Sequence, residues 1–289
     1  MIIVASDLDR TLIYSRGALE AHGDTKRELV AVERHEGKDA SWMTAGAAAA
    51  FAALPASALV VPVTTRTPEQ WQRIRLPGPP PRYAITANGG ILLVEGRVDH
   101  GWDATVADGL ARVAPLRDVW EHASRVCRPE WTVKLRNARG LFCYAVLHRK
   151  RVPPGFLAEA AAWAADRGWQ LSMQGRKLYW VPRSLTKSAA VAEVARRTGG
   201  TTVVAAGDSL LDADLLEAAD RGMVARHGEL VASGWSAPTV AVTEASGVRA
   251  GAEIVDWFVT EVQRDGRGPG APAVDGVDGV DGVDVRSRS

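Results

Sequence analysis

Two aspartates directly follow an apolar run at the start of the chain. The run Ile2-Ile3-Val4-Ala5 leads through Ser6 into Asp7-Leu8-Asp9-Arg10-Thr11. Because residues two apart in an extended segment point the same way, the carboxylates of Asp7 and Asp9 are expected to lie close together. Such a pair repels unless a cation lies nearby, and Mg²⁺ prefers oxygen ligands. The same short pattern also occurs where an aspartate simply caps a turn, so the pair alone does not decide between the two interpretations.

A second acidic segment lies about two hundred residues further along the chain. The apolar run 202–206 leads through Gly207 into Asp208, and Asp212 follows one helical turn later. By itself this segment also fits helix capping by Asp208 or Ser209. Combined with the first pair of aspartates, it favours a cation site.

Candidate anion-binding groups occur between these acids. Thr64 ends a third apolar run, 58–63, and its hydroxyl and the nearby amides can hold a phosphate oxygen, whereas Thr67 is the better cap for the helix that begins at Pro68. Lys187 stands at the head of a predicted helix, where the helix dipole disfavours a lysine. An anion in front of Lys187 would explain its position, and the alternative is an ordinary surface lysine.

The three apolar runs lack alternation and are rich in Val and Ile, which is typical of strands buried on both faces of a parallel sheet. Each leads towards a helical pattern, so we predict an α/β, Rossmann-like, doubly wound core in which ligands bind beyond the carboxyl ends of the strands. Residues 28–32 indicate an extra strand, followed by a charged turn at 35–39.

The middle of the chain follows a different pattern, after the proline-rich break at 76–81. It shows hairpins near 91–98 and 131–147 and helices near 104–116 and 155–167, which indicates an inserted α+β domain. The predicted organisation has three parts: a discontinuous core at 1–86 and 184–262, an inserted domain at 87–183, and a disordered low-complexity tail at 263–289.

The overall composition restricts the possible functions. The chain has 289 residues, of which 46% are hydrophobic, and its formal net charge is +1. This balance argues against a partner that is nucleic acid or a membrane surface. Two cysteines do not form a disulfide framework, so we expect a reduced, cytoplasmic setting. The six histidines lack the spacing of a zinc site. The oligomeric state is not predicted.

The four polar segments, in this order, resemble the motifs of haloacid dehalogenase (HAD) superfamily phosphatases, over about residues 1–262. The resemblance is to the group with a large C2-type cap inserted between the second and third motifs, which includes sucrose-phosphate phosphatase and Cof-like enzymes. The matching segments are 7–11, 63–66, 184–188 and 207–212. The chain departs from the usual motifs at Thr65, where Gly is usual, at Ser188, where Gly is common, and at Leu210-Leu211, where a Gly-Asn pair is common.

The resemblance implies a role for each segment. It implies that Asp7 is the nucleophile that forms an aspartyl-phosphate, and that Asp9 protonates the leaving oxygen and then activates water. Mg²⁺ would be held by Asp7, the backbone carbonyl of Asp9 and Asp208, with Asp212 in support. The implied phosphate-binding residues are Thr64, Thr65 and Lys187. The candidate substrate contacts are Arg66 and Asn88, the latter in a turn, 87–90, similar to one that these proteins carry at the entry to the cap.

The resemblance therefore implies a Mg²⁺-dependent phosphomonoester hydrolase with a small phosphorylated metabolite, a sugar phosphate, as substrate. A phosphotransferase or mutase would use the same aspartates, and a regulator that binds a phosphate compound without turnover is a third possibility, against which the intact acids argue. Further candidate contacts, which fit packing or surface roles equally, are Trp131, Lys134, Arg136, Arg139, Arg176, Lys177 and Trp180.

Overall fold

A computed structural model describes residues 1–266 of the chain, which contain fifteen strands and ten α-helices. The strands are β1 (Ile2–Ser6), β2 (Tyr14–Ser15), β3 (Leu29–His35), β4 (Lys38–Thr44), β5 (Ala58–Pro62), β6 (Tyr83–Thr86), β7 (Ile91–Val94), β8 (Arg97–Val98), β9 (Thr132–Ala138), β10 (Phe142–Leu147), β11 (Trp169–Gln174), β12 (Lys177–Pro182), β13 (Thr202–Gly207), β14 (Arg221–Val224) and β15 (Val240–Val242). The helices are α1 (Arg16–Ala21), α2 (Ala45–Ala52), α3 (Pro68–Trp71), α4 (Asp103–Leu110), α5 (Leu116–Val126), α6 (Phe156–Ala165), α7 (Lys187–Thr198), α8 (Ala213–Ala218), α9 (Glu229–Ala232) and α10 (Val248–Gly266).

The three apolar runs form neighbouring parallel strands, as predicted. The core sheet has the order β15-β14-β13-β1-β5, so β1 lies between the other two runs. Pro62 is the last residue of β5 at the edge of this sheet, where a missing ladder donor is tolerated. The carboxyl ends of β1, β5 and β13 consequently lie side by side, and this placement brings the polar segments together.

Alternate residues of β1 face two different layers, which explains why residues 2–5 of the strand are all apolar. Ile2 and Val4 belong to a buried cluster with Phe51 of α2 and Phe258 of α10. Ile3 and Ala5 belong to a second cluster, which includes side chains of α7 and α8. The Rossmann-like doubly wound layout predicted for the core is therefore confirmed.

The inserted segment forms a separate antiparallel sheet of the order β11-β12-β10-β9, with α5 and α6 packed on it. The helix predicted near 155–167 is present as α6. The helix predicted near 104–116 is wrong in extent, since α4 ends at Leu110 and α5 begins at Leu116. Pro115 lies between them, and proline has no N–H to continue a helix. The hairpin at 91–98 forms β7 and β8 and pairs with β6.

The segment between the first two motifs contains a hairpin, of which the sequence predicted only the first strand. Glu36 and Gly37, with φ of 51° and 77°, form the turn between β3 and β4. At the other end of the described chain, α10 continues to Gly266, so residues 263–266 of the predicted tail are helical, and 267–289 lie outside the described residues. Within residues 1–266, no helix combines the length and apolar character required to cross a membrane.

Glu229, at the start of α9, joins the inserted domain to the core. Its Oε2 accepts hydrogen bonds from the Ser172 hydroxyl at 2.6 Å and from the Leu210 N–H at 3.1 Å. Its Oε1 accepts one from the Met173 N–H at 2.9 Å. Gln174 adds a bond to Ser209 at 2.9 Å. The inserted sheet is thus held against the loop that follows β13, and we refer to the inserted domain as the cap.

Candidate active site

Asp7 is the first residue after the central strand β1. Its N–H donates to the Ala206 carbonyl at 2.9 Å, which continues the pairing of β1 with β13 past the end of the strand. The side chain is buried, and the Thr11 hydroxyl lies 3.4 Å from Oδ2. Burial raises the pKa of Asp7 to about 7, although the charge of Lys187 acts in the opposite direction.

Lys187 is fully buried and bridges two carboxylates. Its Nζ donates to Asp7 Oδ1 at 2.6 Å and to Asp212 Oδ1 at 2.5 Å. Burial opposes its charge, but the two carboxylates more than compensate and raise the pKa of Lys187 well above its ordinary value. The sequence predicted that an anion lies in front of Lys187. In the folded chain, the carboxylates of Asp7 and Asp212 occupy this position.

Asp212 also organises the loop after β13. Its Oδ2 accepts hydrogen bonds from the N–H groups of Asp208, at 3.0 Å, and Ser209, at 2.9 Å, and from the Ser209 hydroxyl at 2.8 Å. A Cβ at Gly207 would lie 2.4 Å from Cβ of Asp212, so only glycine allows this close approach. Asp212 consequently holds both Lys187 and the backbone that carries Asp208.

A divalent cation fits the carboxylate cluster of Asp7, Asp208 and Asp212. Ligand oxygens of these three buried residues lie within 4.8 Å of one another, and hard oxygen donors suit Mg²⁺. Burial raises the pKa of Asp208 well above its ordinary value, and the charges of Asp7 and Asp212 add to this effect. A bound cation would offset that repulsion. The side chain of Asp9 lies outside the cluster, so its expected contribution remains the backbone carbonyl.

Asp9 forms a two-pronged ion pair with Arg66. The Arg66 Nε and one terminal nitrogen donate to the Asp9 carboxylate at 2.7 and 2.8 Å. Burial alone would raise the pKa of Asp9, but the charge and hydrogen bonds of Arg66 lower it to about 2. Arg66, which the sequence predicted as a substrate contact, is thus paired with Asp9.

The same guanidinium also binds Glu33, which the sequence reasoning missed. Arg66 donates to both oxygens of Glu33 at 2.7 and 3.0 Å, and the Ser41 hydroxyl donates to Glu33 at 2.5 Å. Glu33 lies in β3 and Ser41 in β4. The only sequence signal nearby was the predicted strand at 28–32, which ended one residue before Glu33.

The remaining predicted residues surround the site in different ways. Thr64 is fully buried, and its hydroxyl accepts from the Arg66 N–H at 3.1 Å, while Thr65 beside it is 5% exposed. Asn88 is fully buried with φ of 56°, and its amide donates to the Leu185 carbonyl at 2.9 Å. Asn88 therefore fastens the 87–90 turn to the segment that precedes Lys187.

A cleft of about 550 Å³ opens above Asp9 and Arg66 between the core and the cap. Of the cap candidates, Arg176 and Lys177 line this cleft, together with Tyr179. The tryptophans Trp131 and Trp180 are buried in the cap, in agreement with a packing role. The remaining candidates, Lys134, Arg136 and Arg139, do not line the cleft, and Arg139 pairs with Glu69 at 3.1 Å.

Arg10 adds a cation that the sequence reasoning did not consider. Its φ of 68° is unusual for a residue with a side chain. Its Nε donates to Asp208 Oδ2 at 3.1 Å, and a terminal nitrogen donates to the His227 carbonyl at 3.1 Å. The imidazole of His227 also contacts Arg10. Its Nε2 donates to the Arg10 carbonyl at 2.9 Å, and its Nδ1 accepts from the Gly247 N–H at 3.2 Å.

The titration of His227 is expected to make stability depend on pH. Burial, followed by the charge of Arg10, lowers the pKa of His227 to about 4 from an ordinary value of 6.5. Between these values the unfolded chain binds a proton that the folded chain does not. We expect this residue to remove up to about 3 kcal/mol of unfolding free energy as the pH falls from 6.5 to 4.

Urea unfolding of His227→Gln at pH 7.5 and 4.5 measures this contribution. The wild type should lose more stability than the variant over this interval. His148→Gln, which replaces an exposed imidazole, should behave like the wild type. Equal losses in the wild type and His227→Gln would show that His227 is protonated in the folded protein without cost.

Comparisons with known proteins give a clear result only at the level of structure. No protein-family model matches the chain, and no curated protein matches it in sequence. Its structure is similar to the sucrose-phosphatase of Synechocystis sp. PCC6803 in complex with sucrose and phosphate, with a TM-score of 0.61 and 16% identity over 89% of this chain and 97% of that one.

Two other solved structures are similar over nearly their full lengths. A haloacid dehalogenase-like hydrolase from B. subtilis has a TM-score of 0.54 and 16% identity over 89% of this chain and 99% of that one. A HAD subclass IIB sugar phosphatase has a TM-score of 0.54 and 12% identity over 92% of this chain and 99% of that one. The structural neighbours are thus HAD-superfamily phosphatases, and this chain has their fold, a Rossmann-like core with an inserted cap.

Proposed function

We propose that this chain is a Mg²⁺-dependent phosphomonoester hydrolase that acts on a small phosphorylated metabolite, a sugar phosphate, through an aspartyl-phosphate on Asp7. The observation that carries the proposal is the position of Asp7. It is buried at the end of the central strand, is held by Lys187 at 2.6 Å, and lies within 4.8 Å of two further carboxylates. Two of the structural neighbours are a sucrose-phosphatase and a sugar phosphatase, which supports the substrate class.

In the first half of the proposed reaction, a carboxylate oxygen of Asp7 attacks phosphorus and the bond to the ester oxygen breaks. The leaving oxygen takes a proton from Asp9. In the second half, Asp9 accepts a proton from water, which attacks phosphorus, releases inorganic phosphate and regenerates Asp7. Mg²⁺, held by Asp7, the Asp9 carbonyl and Asp208 with Asp212 in support, would supply positive charge against the phosphoryl oxygens.

The ion pair between Arg66 and Asp9 suits one half of this cycle better than the other. Arg66 keeps Asp9 ionised, which is the state required of a base towards water. To act as an acid, Asp9 must take up a proton, and the negative charge of an arriving phosphoryl group favours this because a nearby like charge raises a carboxyl pKa. Arg66 would then keep its two hydrogen bonds to Glu33, and its Nε would become free to contact the substrate, as the sequence predicted.

The proposed phosphoryl-binding residues are Lys187, Thr64 and Thr65. Asn88 would act on the site indirectly, because its hydrogen bond to the Leu185 carbonyl holds the segment that precedes Lys187. The proposed core comprises residues 1–86 and 184–262 and the proposed cap residues 87–183. The cap would exclude water while the aspartyl-phosphate forms. A cytoplasmic location is consistent with Cys127 and Cys143, which are both free thiols.

Release of inorganic phosphate from a panel of esters tests the proposal. The full chain with Mg²⁺ should hydrolyse para-nitrophenyl phosphate and at least one sugar phosphate, and chelation of the metal should stop both. Failure to release phosphate from any ester would refute the hydrolase. Transfer of phosphate to an added sugar in preference to water would instead support the phosphotransferase that uses the same aspartates.

A further inference from the structure

The cap side of the cleft carries three cations at one end of the cap sheet. Lys177 is the first residue of β12 and pairs with Val146 of β10, while Arg176 occupies the turn before it. Arg149 follows the end of β10 by two residues and also lines the cleft. The Leu147 N–H donates to the Arg176 carbonyl at 2.8 Å, which fixes this end of the sheet.

None of these three cations takes part in an ion pair among the salt bridges of residues 1–266. Arg176 Nε donates to the Leu147 carbonyl at 3.3 Å, and Lys177 Nζ lies 5.8 Å from the ring centre of Tyr144. Lys177 is half-buried, whereas Arg149 and Arg176 are exposed. Their charges are therefore available to a ligand in the cleft.

The carboxylates of the cleft do not balance these charges. The cleft is lined by two acids, Asp9 and Glu33, and both are bound by Arg66. Besides Arg66 and the three cations of the cap, the lining contains a fifth cation, Arg10, which is paired with Asp208. The cleft thus contains five cations against two carboxylates, and the excess lies on the cap.

We infer that the leaving group of the substrate carries a second anionic group, a carboxylate or a phosphate, which Lys177, Arg176 and Arg149 bind. This inference rests on the proposed function. The transferring phosphoryl group must lie beside Asp7 on the core, where Lys187 and the carboxylate cluster are. The leaving alcohol lies beyond Asp9, on the side of the cap, so the excess positive charge faces the leaving group.

A matched pair of substrates isolates the second anion. Glycerol 3-phosphate and 3-phosphoglycerate carry the same phosphate ester and differ only in a hydroxymethyl or a carboxylate at the far end. Fructose 6-phosphate and fructose 1,6-bisphosphate make the same comparison for a second phosphate. We expect kcat/KM to be about tenfold higher for the anionic member of at least one pair, as charge-assisted hydrogen bonds permit.

Arg176→Met and Arg149→Met should remove most of this preference and change kcat/KM for the neutral member by less than about threefold. Lys134→Met removes the same charge from exposed β9, outside the cleft, and should keep the preference. An equal loss for both members would overturn the inference, because the cations would then serve the transferring phosphoryl group. A wild type that does not favour the anionic member of either pair would also overturn it.

The inference can fail separately from the proposed function. If phosphate is released but neutral and anionic esters are equivalent, only the inference fails. If no ester is hydrolysed, calorimetric titration of the Asp7→Asn variant with 3-phosphoglycerate and glycerol 3-phosphate still decides whether the cleft prefers a second anion. Equal affinity of the two compounds, or no binding of either, would refute it.

Discussion

Replacement of Asp7 by asparagine is expected to lower phosphate release by at least about a thousandfold, because an amide cannot form the phosphorylated intermediate. Folding should survive the change. Asp7 is a buried acid whose pKa is raised to about 7 by burial, with the charge of Asp212 adding to the effect, so a neutral isostere does not destabilise the site. The measurement is the rate of phosphate release beside the urea midpoint of the same preparation.

Trapping the intermediate gives an independent readout of this prediction. Acid quenching of the wild type with radiolabelled ester should leave label on the protein, and Asp7→Asn should retain none. Asp108→Asn, an exposed change in α4, is the matched control and should behave like the wild type. Label that persists on Asp7→Asn would place the nucleophile elsewhere and refute the assignment.

Lys187→Met is expected to cost about 3–5 kcal/mol of unfolding free energy in metal-free buffer at pH 8, since it removes one partner from a buried ion pair. The Lys187 side chain is 0% exposed, and its loss leaves Asp7 and Asp212 facing each other without their cation. The cost should shrink as the pH falls, because Asp7, whose pKa burial raises to about 7, can then bind a proton. Urea unfolding at pH 8 and pH 5 measures both effects.

Two further variants separate charge from packing in this prediction. Arg196→Met, on the same helix α7, breaks a pair with Glu193 that is 71% exposed on the arginine side, and should leave the urea midpoint close to that of the wild type. Adding Asp212→Asn to Lys187→Met removes one of the two unpaired charges and should recover part of the loss. A destabilisation of Lys187→Met that is the same at both pH values would show that lost packing, not unpaired charge, is responsible.

The sequence predicted the core well because its signals are local. Apolar runs without alternation identify buried parallel strands, and Pro68 and Gly199 mark the beginning of α3 and the end of α7. The strands then place the polar segments at one edge of the sheet by topology alone. Asp7, Asp208 and Asp212 could be predicted as neighbours for this reason, although their assigned roles remain predictions.

The residues that were missed depend on contacts without a local signal. Glu33 reaches Arg66 only because β3 pairs with β4, a strand that the sequence did not indicate. Arg10 adopts a positive φ although it is not a glycine, so its sequence does not indicate this conformation. Its partners Asp208 and His227 lie about two hundred residues away. Such pairs follow from the folded topology, so inspection of one segment at a time does not reveal them.

Glu229 connects the cap to the loop that carries Asp208, one of the proposed ligands of Mg²⁺. Two of its three backbone and hydroxyl donors, Ser172 and Met173, belong to the cap, and the third, Leu210, lies two residues after Asp208. If the cap moved away from the core, Glu229 would lose the two cap donors that orient it towards the Leu210 N–H. We therefore expect cap docking to tighten cation binding, and by reciprocity a bound cation must favour the docked cap by the same factor. Docking of the cap and binding of the cation would thus occur together, and chelation of the cation would weaken the docking of the cap.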